Sequence, residues 1–277
     1  MGKQVVFWGP VHGQMGTTSN CISAACMIGL ESPIRTLIGS TQGSYSMIES
    51  VVLKPSEYTV REPFQRSGLD ALERLARNQR LNAMNLSDYS TPLLYQRLDI
   101  LRGSQRKMAQ EDAVDTEVWE AILGHAKQAY DLVILDENSG IGQMSTQQMI
   151  QTSDVIVINL NQNAAILEQF SSDEGLMQLL QTKTCVYVLG QYETGSKYTA
   201  RNIARKYKFV QELCTIPRCV DFMDACNDHS VLEFVLRHRN VGPRHPNYIF
   251  IQETRRLANT ILKHAGVDAE FFCEKGA

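Results

Sequence analysis

A short stretch near the amino terminus has the residue types of a phosphate-binding loop. It reads WGPVHGQMGTTSN, from Trp8 to Asn20, after the apolar run Val5–Phe7 and before a segment of helical composition. Gly13 and Gly16 let the backbone turn and approach an anion, and the next helix presents its positive end. Thr18 has the place of the hydroxyl that binds Mg²⁺. The residues that we assign to the phosphates are consecutive: Gly13, Gln14, Met15, Gly16, Thr17, Thr18 and Ser19.

The loop lacks the lysine that phosphate loops carry before the hydroxyl pair, because Thr17 stands there. A lysine neutralises the β- and γ-phosphates. Its absence is expected to weaken binding and to impair transition-state stabilisation more. The backbone N–H groups and the Mg²⁺ ligand do not depend on it. By itself the stretch is also compatible with a strand-to-helix turn that holds no nucleotide.

A second candidate is the acid at the end of a buried strand. The segment YDLVILDENSGIG runs from Tyr130 to Gly142 and places Asp136 after an apolar run, with Gly140 four residues later. Such an acid can hold a Mg²⁺-bound water, and the glycine can let a backbone N–H approach a γ-phosphate. The alternative is an aspartate that only caps a turn.

The elements around these residues predict an α/β fold with a doubly wound, mostly parallel sheet and helices on both faces. We expect one domain over residues 1–277, since no linker or repeat divides the chain. The composition between Ser67 and Tyr95 indicates helix, and a C-terminal helix is expected from Ile249 to His264. The predicted strands are short apolar runs: Gln4–Trp8, Ile34–Ile38, Leu98–Leu101, Leu132–Leu135, Val155–Asn159 and Val186–Leu189.

Composition narrows the classes of protein. A formal net charge of −3 provides no global basic field for nucleic acid, so any such surface must be local. The seven cysteines are odd in number and lack CxxC spacing, which favours a reduced, cytoplasmic protein; a metal site at Cys214 and Cys219 is the minor alternative. No apolar run is long enough to span a bilayer, and the N-terminus lacks the pattern of a signal peptide.

These motifs together resemble the ParA/MinD family of deviant P-loop ATPases, and most closely its TadZ/CpaE branch. The family's loop KGGxGKTT corresponds to HGQMGTTS, in which Gly13, Gly16 and Thr18 match. His12, Gln14 and Thr17 replace the signature lysine, a glycine and the P-loop lysine; these changes make the loop a degenerate Walker A motif. DENSGIG resembles the family's D-x-P-A-G segment.

The resemblance continues in the correct order along most of the chain. RLDILRGS resembles the third strand, and SDVIVINLNQNAAILEQF resembles the strand and helix after the Mg²⁺ acid. VYVLGQYETGSKYT, with Gln191, resembles the strand that ends in N-R-Y. TIPRCVDFMDACNDHSVLEFV, with Pro217, resembles the I-P segment that lies beside the adenine.

The resemblance implies ATP and Mg²⁺ as cofactors, with Thr18 and Asp136 at the metal. It also implies a homodimer and a protein cargo. The family's water-positioning aspartates after the second strand are absent from TLIGSTQGSYS, so hydrolysis should be slow or absent; Glu137 is a possible replacement base. The alternatives are a scaffold that binds no nucleotide and a ligase related to dethiobiotin synthetase. The ligase is the least favoured, since it needs the loop lysine.

Two further surfaces have competing interpretations. Arg201, Arg205 and Lys208 would share one helical face, which can bind DNA nonspecifically or can simply be a solvated surface. The C-terminal helix can lie on a membrane surface or pack on the sheet. Glu253 and the acidic tail favour packing, without membrane insertion.

Overall fold

A computed structural model describes residues 1–41, 47–54, 68–104, 116–137, 139–140, 144–209 and 211–267. Within these residues, eight strands form one sheet in the order β3-β4-β2-β5-β1-β6-β7-β8, and only β3 runs antiparallel to its neighbour. The strands are β1 Lys3–Trp8, β2 Thr36–Ser40, β3 Thr91–Leu94, β4 Leu98–Leu101, β5 Leu132–Asp136, β6 Val155–Leu160, β7 Thr184–Tyr192 and β8 Leu213–Pro217.

Helices cover both faces of the sheet, so the predicted fold class is confirmed. The helices are α1 Thr17–Glu31, α2 Met47–Val52, α3 Leu69–Arg77, α4 Ala83–Leu86, α5 Thr116–Ala129, α6 Met144–Thr152, α7 Ala164–Ser172, α8 Glu174–Gln181, α9 Ala200–Tyr207, α10 Val220–Asn227, α11 Val231–His238 and α12 Tyr248–Ala265. A 3₁₀ turn covers Ser87–Tyr89.

The central strand shows why the sheet is buried on both sides. Val5 and Phe7 point into the core that contains α1 and α12, while Val6 and Trp8 point into the opposite core, which contains α5 and α7. All four side chains have no exposed surface. Because successive side chains of a strand point to opposite faces, a run that is apolar throughout needs cover on both.

The prediction of helix from Ser67 to Tyr95 is wrong between α3 and α4 and again after the 3₁₀ turn. Within its described part, α3 ends at Arg77, Gln79 has a left-handed φ of 55°, and Asn82 starts α4 with a reciprocal hydrogen-bonded cap to Asn85. The chain then forms the edge strand β3, which contains Pro92. An edge strand tolerates proline because it needs fewer ladder hydrogen bonds.

Two strand predictions also need correction. The second strand begins at Thr36 and not at Ile34, because the Arg35 N–H is bound by the Asp131 carboxylate (2.8 Å). The strand β8 was missing from the strand predictions, and only the family resemblance pointed to its I-P ending.

The C-terminal helix α12 packs on the sheet, as predicted. Its residues Phe250, Ile251, Leu257 and Ile261 are buried in the same core as α1. In the part of the chain that the structure describes, no helix combines the length and the apolar character that crossing a membrane requires.

Candidate nucleotide-binding site

The loop between β1 and α1 leaves the start of a helix open to a ligand. Gly13 and Gly16 have φ angles of 76° and 68°, which glycine adopts without strain. Gly16 is the N-cap of α1; no described side chain caps the helix, and its first turn contains no acidic residue. The positive helix end and its first N–H groups therefore have the arrangement in which a helix binds an anion.

Met15 anchors this loop to the protein interior. Its side chain is buried at 1% exposure, so any nucleotide contact by Met15 is limited to its backbone. Gly190 in β7 lies directly behind it: a Cβ atom on Gly190 would be 2.1 Å from the Met15 carbonyl oxygen and 2.9 Å from Asn20 Nδ2. The loop can take its position only because residue 190 has no side chain. By contrast, Gly13, Gln14 and Ser19 are exposed.

A pair of buried amides fixes the start of α1 to the sheet. Asn20 Nδ2 donates to Asn159 Oδ1 on β6 at 2.8 Å, and Asn159 Nδ2 donates to the Trp8 carbonyl at 3.2 Å. Both side chains are buried, so these hydrogen bonds are costly to break. Sequence reasoning missed Gly190, Asn20 and Asn159; their only sequence signal was a polar residue or a glycine inside an otherwise apolar run.

The two threonines that begin α1 face different parts of the site. Thr17 folds back toward the start of the loop, since its Oγ1 lies 3.0 Å from where a Cβ on Gly9 would be. Thr18 Oγ1 donates to Asp136 Oδ2 at 2.7 Å. The structure thus brings together the two residues that the sequence suggested for Mg²⁺, and hydroxyl and carboxylate oxygens are the ligands that Mg²⁺ prefers.

Asp136 is held in an environment that disfavours its charge. It ends β5 beside Phe7 of β1 and Ser40 of β2, and its side chain is buried. Burial raises the pKa of its carboxyl from 3.8 to about 7; the Thr18 hydroxyl opposes this shift and the neighbouring Glu137 adds to it. The second oxygen, Oδ1, has no hydrogen-bond partner among the described residues. A cation bound there would satisfy it, so the donors fit a hydrated Mg²⁺.

This raised pKa predicts a pH-dependent stability for the protein without nucleotide or metal. The folded state holds a proton on Asp136 that the unfolded state releases near pH 4. Its stabilising contribution is therefore complete below pH 4 and is lost as pH rises through about 7. Between pH 5 and 8 this effect should lower the free energy of unfolding of the wild type by roughly 2–4 kcal/mol. We expect Asp136→Asn to abolish that part of the decrease.

The measurement is urea unfolding across that pH range. Asp88→Asn serves as the control because Asp88 is exposed on the 3₁₀ turn, and this variant should keep the wild-type slope. An Asp136→Asn protein with an unchanged pH slope would contradict the assignment.

Glu137 links secondary-structure elements and does not face an open site. Its two carboxylate oxygens accept hydrogen bonds from the Thr41 hydroxyl at 2.6 Å and the Thr146 hydroxyl at 3.0 Å, and its side chain is 2% exposed. Its N–H donates to the Phe7 carbonyl. The idea that Glu137 replaces the missing base is therefore at odds with its position.

Gly140 lies beside the loop but directs its N–H elsewhere. Its N–H donates to the Gly9 carbonyl at 3.0 Å, and its carbonyl accepts the Trp8 indole N–H at 2.8 Å. The expectation that this N–H faces a γ-phosphate is therefore not met in this conformation. Asn138 and residues 141–142 of the same motif lie outside the described residues.

No protein-family model matches the chain, and no curated protein matches its sequence. Solved structures do match. A ParA family ATPase from Chlorobium tepidum superimposes with a TM-score of 0.70 at 13% identity, over 93% of this chain and 98% of that one. MinD from Pyrococcus horikoshii, complexed with Mg-ADP, has a TM-score of 0.67 at 15% identity, over 98% and 100%. The MinC:MinD complex of Aquifex aeolicus has a TM-score of 0.67 at 14% identity, over 94% of this chain and 96% of that one.

The chain has the ParA/MinD fold. In a parallel α/β sheet, ligands bind beyond the carboxyl ends of the strands. The carboxyl ends of the strands carry the loop after β1, Asp136 at the end of β5, Gln191 near the end of β7 and Pro217 at the end of β8. Gln191 has a left-handed φ of 50°, and its side chain lies within 4 Å of where a Cβ on Gly16 would be.

The end of β2 also bears on the ParA/MinD comparison. Gly39 and Ser40 close β2 beside β5, and the Ser40 hydroxyl donates to the Asp136 carbonyl. The described part of the segment TLIGSTQGSYS, which stops at Thr41, contributes no acidic residue of its own to this strand end.

The basic helix differs from its prediction. Arg201 and Arg205 are exposed on α9, but the helix ends at Tyr207, and Lys208 follows as a C-cap with a left-handed φ of 56°. The prediction that all three share one helical face is wrong for Lys208.

Proposed function

We propose that this chain is an ATP-binding, dimerising ParA/MinD-like protein that positions or organises a larger assembly and hydrolyses ATP slowly or not at all. The assembly would be a pilus, secretion or conjugation machine, or a DNA element. One observation carries the proposal: the uncapped start of α1, with left-handed glycines, lies next to the hydrogen-bonded pair Thr18 and Asp136.

Each part of the nucleotide has a proposed contact. The phosphates lie on the loop from Gly13 to Ser19. Mg²⁺ binds the Thr18 hydroxyl, and Asp136 accepts a hydrogen bond from a water that the metal holds. Gln191 and Pro217 flank the base at the same sheet edge. A MinD of this fold has been solved with Mg-ADP, which supports nucleotide and metal binding in general.

Slow hydrolysis follows from what the described site lacks. Thr17 provides no charge to neutralise the phosphates, and the end of β2 provides no carboxylate to position water. Glu137 is already bound by two threonine hydroxyls. A nucleotide held between two subunits would then form a long-lived dimer. These departures are the reason for placing the chain nearest the TadZ/CpaE branch, with a degenerate Walker A loop.

The second candidate function is a nucleotide-free scaffold, and one observation favours it. Thr18 and Asp136 already satisfy each other across 2.7 Å without a metal, while burial keeps Asp136 partly protonated near neutral pH. Mg²⁺ binds to ionised carboxylates, and a protonated Asp136 would not offer it one. The scaffold would use the same fold only as a surface.

The remaining assignments concern location and partners. We place the protein in the bacterial cytoplasm, since its described cysteines are free and mostly buried. We also assign the whole chain to one domain. Nonspecific DNA contact would use Arg201 and Arg205, with Lys208 beside the helix and not on it.

Sedimentation velocity tests the proposal against the scaffold. With Mg²⁺ and millimolar ATP, the protein should shift from monomer toward dimer, and Thr18→Val should weaken the shift because it removes the hydroxyl and keeps the side-chain shape. The same oligomeric state with and without nucleotide would favour the scaffold.

A further inference from the structure

Gln191 has a strained backbone at the point where β7 passes the phosphate loop. Its φ of 50° lies in the left-handed region, which residues other than glycine adopt only at a cost. Between Leu189 and Tyr192, β7 contains one residue more than the facing stretch of β8. A bulge of this kind re-aims a side chain, and backbone strain is concentrated at functional sites.

The bulge directs the Gln191 side chain to the start of α1. Its Cγ and Nε2 atoms lie 3.8 Å and 3.9 Å from where a Cβ on Gly16 would be. Gly190, the other residue of the bulge, has no side chain and lets β7 approach the Met15 carbonyl closely. Gln191 is exposed, and no described residue bonds its amide. The amide N–H groups are therefore available to a ligand next to the N-cap of α1.

A buried carboxylate marks the same place independently. Thr18, in the first turn of α1, donates to Asp136 Oδ2, while the buried Oδ1 has no hydrogen-bond partner among the described residues. The uncapped helix start attracts an anion, whereas this oxygen needs a cation or a donor. A phosphate group that carries its own metal ion satisfies both requirements.

We infer that Gln191 is a phosphate-binding residue: its side-chain amide donates to the phosphates held at the start of α1. This inference rests on the proposed nucleotide site and deepens it. The backbone of Gln191 flanks the base, and its amide reaches across the loop to the phosphates. The loop from Gly9 to Ser19 contains neither lysine nor arginine. An amide donates hydrogen bonds without adding charge, so it holds the phosphates without neutralising them, which fits binding with little hydrolysis.

Calorimetry of the full chain with Mg²⁺ and two probes, ATP and inorganic tripolyphosphate, tests the inference. Gln191→Met keeps the length of the side chain and removes the amide. It should weaken the binding of both probes about tenfold, the order of one hydrogen bond to a charged group. Gln191→Glu should weaken both further, because its carboxylate would face the phosphates. Gln79→Met is the matched control: Gln79 is exposed beyond the end of α3 with a similar left-handed φ of 55°, and this variant should bind as the wild type does.

Tripolyphosphate separates a phosphate contact from a base contact. If Gln191→Met weakens ATP binding but binds tripolyphosphate as the wild type does, the amide serves the base and the inference is wrong. A wild type that binds ATP but not millimolar tripolyphosphate would place recognition at the base and would also overturn it. So would unchanged affinity for both probes in a Gln191→Met protein that urea unfolding shows to be folded.

Nuclear Overhauser contacts in the ligand-free protein separate failure of this inference from failure of the proposed function. The side-chain amide protons of Gln191 should show contacts to the α-protons of Gly16, and Gln191→Met should lose these signals. Their absence in the wild type would refute the placement of the amide and the inference with it, whatever the protein binds. If the contacts are present and the wild type binds neither probe, the proposed function fails and the phosphate role of Gln191 falls with it.

Discussion

Thr17→Lys is expected to tighten ATP binding about tenfold to a hundredfold. Thr17 Oγ1 lies over the start of the loop, near Gly9, so a lysine stem there can follow the loop backbone and place its ammonium at the phosphates. One charge-assisted contact contributes about 1.5–3 kcal/mol, and each 1.4 kcal/mol is a factor of ten in affinity. The measurement is calorimetric titration of ATP with Mg²⁺ into both proteins.

Turnover of Thr17→Lys should rise much less than its affinity. Gly39 and Ser40 still provide no carboxylate to position water, and Glu137 remains bound to two threonines. The matched control is Thr17→Met, which has a long side chain without the charge and should bind ATP no more tightly than the wild type. Equal affinity in the lysine variant and the wild type would mean that residue 17 does not face phosphate.

Gly190→Ala is expected to weaken nucleotide binding tenfold or more and to destabilise the fold. The new methyl group would lie 2.1 Å from the Met15 carbonyl oxygen, which is backbone and cannot rotate away. The phosphate loop must therefore shift, and an overpacked core position costs about 1–3 kcal/mol. Calorimetry with ATP and urea unfolding measure the two effects.

Gly195→Ala is the control for that experiment. Gly195 follows the same strand, and a Cβ there would meet no atom within 4 Å. This variant should bind ATP and unfold as the wild type does. If Gly190→Ala also behaves as the wild type, β7 does not support the loop in the way described.

Strand positions were predictable where burial alone decides them. β4 matches its predicted limits and β5 and β6 differ by one residue, because a run that is apolar on both faces has few alternatives in an α/β protein. β3 was missed because its residues follow a helical segment and contain Pro92. β2 begins at Thr36, two residues after its predicted start, because the side chain of the distant Asp131 binds the N–H of Arg35.

The site was predictable only in the parts that a local motif specifies. The left-handed glycines and the pairing of Thr18 with Asp136 follow from loop chemistry and strand order. The amide pair Asn20 and Asn159 joins residues that lie 139 positions apart in the sequence. The Trp8 indole binds the Gly140 carbonyl, 132 positions away. Such contacts join common residue types that are distant in the chain, so no pattern in a single sequence predicts them.

Calorimetric titration of the wild type with ATP, with and without Mg²⁺, tests the central claim most directly. We predict saturable binding that Mg²⁺ strengthens, and we predict that Thr18→Val loses the Mg²⁺ dependence because its side chain cannot ligate the metal. Binding with the same Mg²⁺ dependence in Thr18→Val would place the metal elsewhere. No heat of binding and no thermal stabilisation at millimolar ATP would contradict the account and leave the scaffold as the function.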